Sequence, residues 1–256
     1  MLGVINQTVE RALSRKWEAD CIIMDPPDNL GLAYDGYIDK REDYYDWLQR
    51  IIADAMGRSP ILWVSYYHHH DFEIKHRLHP IKDLWDVRTF VWTYTFGQNR
   101  DSDCGSGYRP LLRIARKGFP YDCESIKIPS WRSENGDHRA APGGRVPLDV
   151  WDFPRVTGNS PERQAWHPTQ HPEALYLRML RMSGALRGGP FRAVDLFGGT
   201  GTLLRACKAL RFRNPAISAF VIEQSAEYCK AIASQSSDFK ITERVGLISG
   251  DDNPSL

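Results

Sequence analysis

The stretch AVDLFGGTGTLLRACKAL, residues 193–210, constrains this chain more than any other. AVDLF (Ala193–Phe197) is a short apolar run and reads as a buried strand. Gly198, Gly199 and Gly201 then force a tight loop, because glycine alone enters such turns without steric cost. TLLRACKAL resumes with helical spacing. A second apolar run, ISAFVI (Ile217–Ile222), follows and closes on Glu223. A strand, a helix and a further strand in that order form the unit of a parallel sheet covered by helices.

The rest of the chain repeats the alternation. Cys21–Met24 and Ile61–Ser65 read as buried strands, and Arg88–Tyr94 and Arg109–Ala115 as two more, joined by the polar loop FGQNRDSDCGSGY. Residues 43–56 place Tyr44, Trp47, Leu48, Ile51 and Ala55 on one helical face. PEALYLRMLRMSGAL reads as a helix with Pro172 near its start and Gly184, Gly188 and Gly189 at its end. Ser225 is placed to cap the helix SAEYCKAIAS, and RVGLISGDD supplies a last strand. The expected fold is α/β, a doubly wound, mostly parallel sheet. Between residues 118 and 165, Pro, Gly, Arg and Trp rise and no period persists. Such a segment of about 50 residues exceeds the usual connection in a compact domain, which marks it as an insertion with a purpose. The chain divides into residues 1–117, an insertion at 118–165 and residues 166–256, within one structural domain.

The glycine loop has a chemical reading. Glycines between strand and helix let the backbone approach a ligand closely. Glu223 ends the next strand about 20 residues on, where an acid accepts hydrogen bonds from ribose hydroxyls. The loop lacks the GK[ST] ending of a phosphate-binding loop and departs from GxGxxG, so a nucleoside without phosphates fits better than a nucleotide. S-adenosylmethionine is the obvious one. A glycine turn that only packs helix on strand is the alternative; Asp195, Phe197 and the spacing of Glu223 argue against it.

The second chemical stretch is Asp25-Pro26-Pro27-Asp28, at the end of the strand Cys21–Met24. The amino group of adenine or cytosine is a poor nucleophile, because its lone pair is delocalised into the ring. Two fixed acceptors, a carboxylate and a carbonyl, can hold its N–H bonds and free the lone pair. Prolines stiffen the loop and expose carbonyls without adding donors. The gain is positioning plus electrostatics in a water-excluding site.

With these motifs in view, the chain resembles the DNA amino-methyltransferases, which act on adenine N6 or cytosine N4. Their catalytic motif, Asp/Ser/Asn-Pro-Pro-Tyr, is similar to DPPD here, and their Phe-x-Gly-x-Gly loop to FGGTG (Phe197–Gly201). HPTQHPEAL (His167–Leu175) resembles the segment that precedes the cofactor strand in that family. The motif order, with an insertion between catalytic and cofactor motifs, is that of the circularly permuted "beta" group. The resemblance implies a Rossmann-like, S-adenosylmethionine-dependent methyltransferase fold, with residues 118–165 as the target-recognition region. It implies catalytic roles for Asp25, Pro26, Pro27 and Asp28. It also implies a cofactor pocket lined by His167, Thr169, His171, Asp195, Phe197, Gly198, Gly199, Thr200, Gly201 and Glu223, with Asp251 beside the adenine. Double-stranded DNA is the implied partner, adenine N6 the favoured target, and a homodimer a further expectation. Cytosine N4, an RNA or modified-base acceptor, and a catalytically silent DNA-binding relative are the other readings.

Asp28 departs from the pattern, since relatives carry there an aromatic that stacks on the flipped base. Tyr34, Tyr37 or an aromatic of the insertion could stack instead, Asp28 could hydrogen-bond an unusual base, or the site could be silent. Two carboxylates so close in sequence could also raise one another's pKa. Net charge is +1, so DNA contact must come from local patches. Nine Lys/Arg lie between Arg109 and Arg155, and Trp131, Arg132, Arg139 and Arg145 of WRSENGDHRAAPGGR are the expected DNA contacts. His68, His69 and His70 cannot share one helical face and have no Cys or HExxH beside them, so a surface loop or a nucleic-acid contact is expected rather than a metal site. Five cysteines without a CxxC pair suggest free thiols in a reducing compartment. The N-terminus, MLGVINQTVERALSRKW, is amphipathic and too polar for a signal peptide. With no long apolar run besides, the expectation is a cytoplasmic protein without a membrane span.

Overall fold

The computed structural model describes residues 1–94, 103–243 and 245. The strands are β1 (Leu2–Asn6), β2 (Cys21–Met24), β3 (Ala33–Tyr34), β4 (Tyr37–Ile38), β5 (Ile61–Ser65), β6 (Trp85–Thr93), β7 (Tyr108–Arg116), β8 (Val150–Asp152), β9 (Phe191–Asp195), β10 (Ile217–Glu223) and β11 (Phe239–Thr242). The helices are α1 (Val9–Leu13), α2 (Tyr44–Met56), α3 (Asp71–Leu78), α4 (Trp131–Glu134), α5 (Glu173–Met182), α6 (Thr202–Leu210) and α7 (Ala226–Ser234). Among the described residues, nine strands form one sheet in the order β11-β1-β10-β9-β2-β5-β7-β6-β8, and β3 and β4 form a separate small hairpin. From β11 to β5 every neighbouring pair is parallel. β7 runs against both β5 and β6, and β8 lies parallel to β6. The sheet is therefore mostly parallel, with one reversed strand.

Alternation along the central strands explains why helices cover both faces. Cys21 and Ile23 of β2, and Ile61 and Trp63 of β5, join the core that also holds Leu180 of α5, Leu203 of α6 and Ile232 of α7. Ile22, Met24, Leu62 and Val64 point the other way, into a core with Val9 of α1, Leu48 and Ile52 of α2 and Ile74 of α3. A strand apolar on both faces reads as a continuous hydrophobic run, and it must be buried twice.

The N-terminal segment divides at Gln7 into a strand and a helix, and the Thr8 side chain caps α1 by accepting the Arg11 N–H at 3.3 Å. β1 inserts between β10 and β11, so residues 2–6 lie beside the C-terminal strands in space. Ser225 caps α7, accepting the Tyr228 N–H at 3.0 Å. Of the last strand expected at RVGLISGDD, only Val245 is among the described residues, and Asp251 is outside them. β11 comes earlier in the chain. Its burial is confined to Phe239, and Lys240 and Ile241 are exposed, so it offers little apolar periodicity.

The segment 118–165 is anchored to the sheet through β8. This strand extends the sheet edge, and Trp151, 1% exposed, packs on Phe90 and Trp63 with ring centroids 4.9 and 5.5 Å away. Replacing Trp151 by Ala is expected to lower stability by about 3–5 kcal/mol through the cavity it leaves, measurable by urea unfolding.

Gly201 precedes α6 with φ +75°, and a Cβ there would meet Ile232 Cγ2 at 2.6 Å. Gly188 has a similar φ, +86°, with nothing within 4 Å. Gly188→Ala should lose only the left-handed backbone term of about 1–2 kcal/mol, and Gly201→Ala clearly more, again by urea unfolding. Equal losses would mean that the contact with Ile232 is relieved at no cost.

Candidate active site

The parallel strands deliver their carboxyl ends to one edge of the sheet, and the chemical motifs follow those ends. Asp25 follows β2, Ser65 ends β5, Asp195 ends β9 and Glu223 ends β10. This is where ligands bind in open α/β sheets. Because β7 is reversed, its first residues reach the same edge, which brings Arg109 beside Asp25. A cavity of about 610 Å³ runs along this edge, within the range of small-molecule sites. Asp25, Pro26, Pro27, Asp28, Arg109 and His171 line one end, and Phe197, Gly198, Gly199, Thr200, Trp47 and Glu223 the other.

At the glycine end, Gly199 has φ +50° and donates its N–H to Glu223 Oε2 at 3.0 Å. The Ser225 N–H reaches Oε1 at 2.8 Å. Burial pushes the Glu223 carboxyl up to about 7, while the N–H groups of Ser225, Gly199 and Gln224 favour its ionised form. Gly198 leaves no room for a side chain: a Cβ would lie 3.1 Å from the Ile222 carbonyl oxygen. Trp47, held by Glu10 through its indole N–H at 2.8 Å, meets the Phe197 ring edge-on at 5.8 Å. The β3–β4 hairpin roofs this end. Its tip is fastened by Ser225, whose hydroxyl donates to Asp35, and by Tyr228, whose hydroxyl accepts the Asp35 N–H at 3.2 Å. Tyr34 and Tyr37 of the hairpin line the cavity and stack on one another at 5.0 Å.

Two residues expected in the pocket lining stand behind it. Asp195, 1% exposed, holds the Phe197 N–H at 3.0 Å and the Tyr176 hydroxyl at 3.1 Å, and burial pushes its carboxyl up to about 8. It shapes the loop from below. Gly201 opens α6 against Ile232, away from the cavity. His167 and Thr169 do line the cavity, and His167 donates Nδ1–H to the Thr169 carbonyl at 2.5 Å, which fixes its tautomer. Burial lowers the His167 pKa.

At the other end the structure corrects the expectation for the two carboxylates. Arg109 stands between them. Its Nη1 donates to Asp28 Oδ2 and its Nη2 to Asp28 Oδ1, both at 2.8 Å, and Nη2 also donates to Asp25 Oδ1 at 2.8 Å. Nε donates to Ser65 Oγ at 2.6 Å. His171 Nε2 lies 3.4 Å from Asp25 Oδ2, and the His171 ring meets Trp92 edge-on at 5.0 Å. Burial acts to raise the Asp25 pKa, but His171 and Arg109 outweigh it, and the carboxyl sits below its ordinary value. His171 is itself lowered, chiefly by burial. Asp28 also accepts the Tyr67 N–H at 3.1 Å, and its carbonyl meets His70 Nε2 at 2.8 Å. His70 is therefore buried behind the motif, bonded on its other nitrogen to Tyr45, rather than part of a surface loop.

Arg109 and Arg113 also leave the proposed basic patch. Arg113 is 3% exposed, pairs with Asp86 at 2.8 Å and stacks over Tyr121 at 3.8 Å. Sequence carried a signal for Arg113, since an arginine inside an apolar strand has to be buried with a partner, but none for Arg109 at the strand's start. In the insertion, Arg139 pairs with Asp137 at 2.7 Å and Arg132 lies 3.9 Å from the same carboxylate. Arg145 is exposed and Trp131 is 73% exposed, outside the cavity lining.

The model of the N6/N4 methyltransferase family, described as DNA methylase, matches residues 19–234. DNA adenine methyltransferase YhdJ of Escherichia coli (strain K12) is 29% identical over 181 residues, 64% of this chain and 60% of that protein. Type II methyltransferase M.HpaI of Haemophilus parainfluenzae is 30% identical over 204 residues, 75% of this chain and 61% of that one. The chain thus spans about three-fifths of the length of these curated relatives. Among solved structures, the M1.HpyAVI–SAM complex matches with a TM-score of 0.62 at 19% identity, covering 92% of this chain and 100% of that one. TTHA0409 of Thermus thermophilus, complexed with S-adenosyl-L-methionine, matches with a TM-score of 0.58 at 16% identity, over 94% of this chain and 99% of that one. At those identities the likeness is one of fold. The family match spans both the strand that ends at Asp-Pro-Pro-Asp and the glycine loop with Glu223, and this chain belongs to the DNA methylase family of N6/N4 methyltransferases.

Proposed function

We propose that this protein methylates the exocyclic amino group of a base flipped out of double-stranded DNA, adenine N6 in particular, with S-adenosylmethionine as donor. The observation that carries this reading is one continuous cavity with a ribose-type acceptor at one end and an amine-type acceptor at the other. When bound, S-adenosylmethionine supplies an electrophilic methyl group. The lining fits it. Glu223 offers a carboxylate for ribose hydroxyls, Trp47 and Phe197 offer ring surface for a purine, and His167, Thr169 and Thr200 border the stretch toward Asp25.

A flipped base enters at the other end. The ionised Asp25 carboxylate and the Pro26 carbonyl accept the two N–H bonds of its amine and turn the lone pair toward the methyl group. Asp25 then takes the proton that the methylated amine sheds. The Asp-Pro-Pro motif supports adenine, as does the likeness to a DNA adenine methyltransferase. Trp131, Arg132, Arg139 and Arg145 are the proposed DNA contacts of the insertion, where phosphates would compete with Asp137 for the arginines.

Mass spectrometry of nucleosides from DNA of a methylation-free host expressing the protein should find N6-methyladenine. Asp25→Ala should lower it by about two orders of magnitude or more, as loss of a preorganised polar contact does, with cofactor binding retained. DNA that carries no methylated base with the intact protein would overturn the reading, and N4-methylcytosine would move it to the other amine.

The Glu223 carboxyl is raised in the folded protein to about 7, so it holds its proton at pH values where a free carboxyl is ionised. Ribose hydroxyls donate best to the ionised form. Affinity for S-adenosylmethionine is therefore expected to weaken by up to about tenfold per unit as pH falls through 7, and to level off above it. Calorimetric titration across that range checks this, and Glu223→Gln should bind more weakly with a flat profile.

A further inference from the structure

We infer that Arg109 is a positioning residue for Asp25, and that Asp28 holds it there by taking most of its guanidinium. The inference rests on the amine-methylation reading above. A guanidinium beside a lone carboxylate prefers the two-bonded fork, which occupies both oxygens. Here the fork is spent on Asp28, through Nη1 and Nη2, each at 2.8 Å. From Arg109, Asp25 receives one bond, from Nη2 to Oδ1 at 2.8 Å, and none to Oδ2, which faces His171 Nε2 at the longer distance of 3.4 Å. Nε is fixed by Ser65 at 2.6 Å, so the guanidinium is held at three corners.

The arrangement meets two opposed needs. Asp25 must stay ionised in a partly buried site, which a cation close by favours. It must also keep an oxygen well placed for an incoming N–H, which a full fork on Asp25 would crowd by engaging both oxygens. Asp28 resolves the conflict by competing for the same guanidinium. Position 28 thus differs from the aromatic of relatives because its partner here is Arg109 rather than a base. The buried arginine and the acid at position 28 form one unit.

Other titratable groups facing Asp25 are His171 and His167 from the segment before α5, Tyr176 of α5, Asp195 at the end of β9, Tyr34 of the hairpin and Tyr44 of α2. All remain in the variants that test the inference.

Single-turnover methylation is measured with saturating S-adenosylmethionine and with DNA that the intact protein methylates, for Asp28→Ala, Arg109→Leu and the double variant. Asp28→Ala frees the fork to close on Asp25 and should slow methyl transfer about tenfold or more. Removing Arg109 as well should return part of that rate at alkaline pH, so the two changes are strongly non-additive. Arg109→Leu alone leaves two neighbouring carboxylates without their cation, and its rate should acquire an acid limb displaced upward by about a pH unit or more. Thermal melting and cofactor titration identify any variant that fails to fold, and Arg109→Lys, a cation without a fork, then replaces Arg109→Leu. Asp28→Ala with the rate of the intact protein, or a double variant slowed by the product of the two single effects, overturns the inference. Absence of methylation by the intact protein on any DNA is a different failure, that of the reaction itself.

Discussion

One guanidinium shared by two carboxylates sets the geometry at the Asp-Pro-Pro-Asp end of the cavity. A charge taken out of water has to be paired, and a buried arginine left with one acid would bind it completely. Arg109 has two acids and Ser65, and its own pKa is driven further upward by Asp25 and Asp28 despite burial. The cluster exists because β7 runs against its neighbours. In an all-parallel sheet the first residues of that strand would emerge at the far edge, about 20 Å or more from Asp25 at the usual rise per strand residue. The reversed strand is therefore part of the candidate active site, and its topology and its proposed chemistry cannot be separated.

Much of the fold was legible because both faces of the central strands are apolar. Cys21–Met24, Ile61–Ser65 and Ile217–Ile222 read as strands from composition alone, and TLLRACKAL as the helix it forms. The meeting of the glycine loop with Glu223 was also legible, since a glycine loop and an acid at the next strand's end are local signals. What escaped was non-local. β1 looked like part of an amphipathic segment, and only its place between β10 and β11 makes it a strand. Arg109 was counted among basic residues of a DNA-facing patch, because sequence does not say which edge of the sheet a reversed strand presents. Asp195 and Gly201 were read as lining for the opposite reason: they sit in the right motif, but the chain turns them inward. The bonds from Asp28 to Tyr67, Arg109 and His70 join separate elements and have no sequence signature at all.

Three acids along this edge show how burial and partner type together sort protonation. All three meet a desolvation penalty that favours the neutral form. Asp195 has one N–H and one hydroxyl against it and is pushed highest, to about 8. Glu223 has three N–H groups and reaches about 7. Asp25, the least buried of the three, has His171 and a guanidinium beside it and stays below its ordinary value. A dipole softens the cost of burying a carboxylate, and a full charge reverses it. The consequence is a division of labour along one cavity. The acid that would meet the amine keeps its charge across the neutral range, whereas the acid that would meet the ribose titrates within it. Binding at one end can thus respond to pH while the acceptor at the other end stays constant, and His171 and the arginine that Asp28 holds in place together secure this difference.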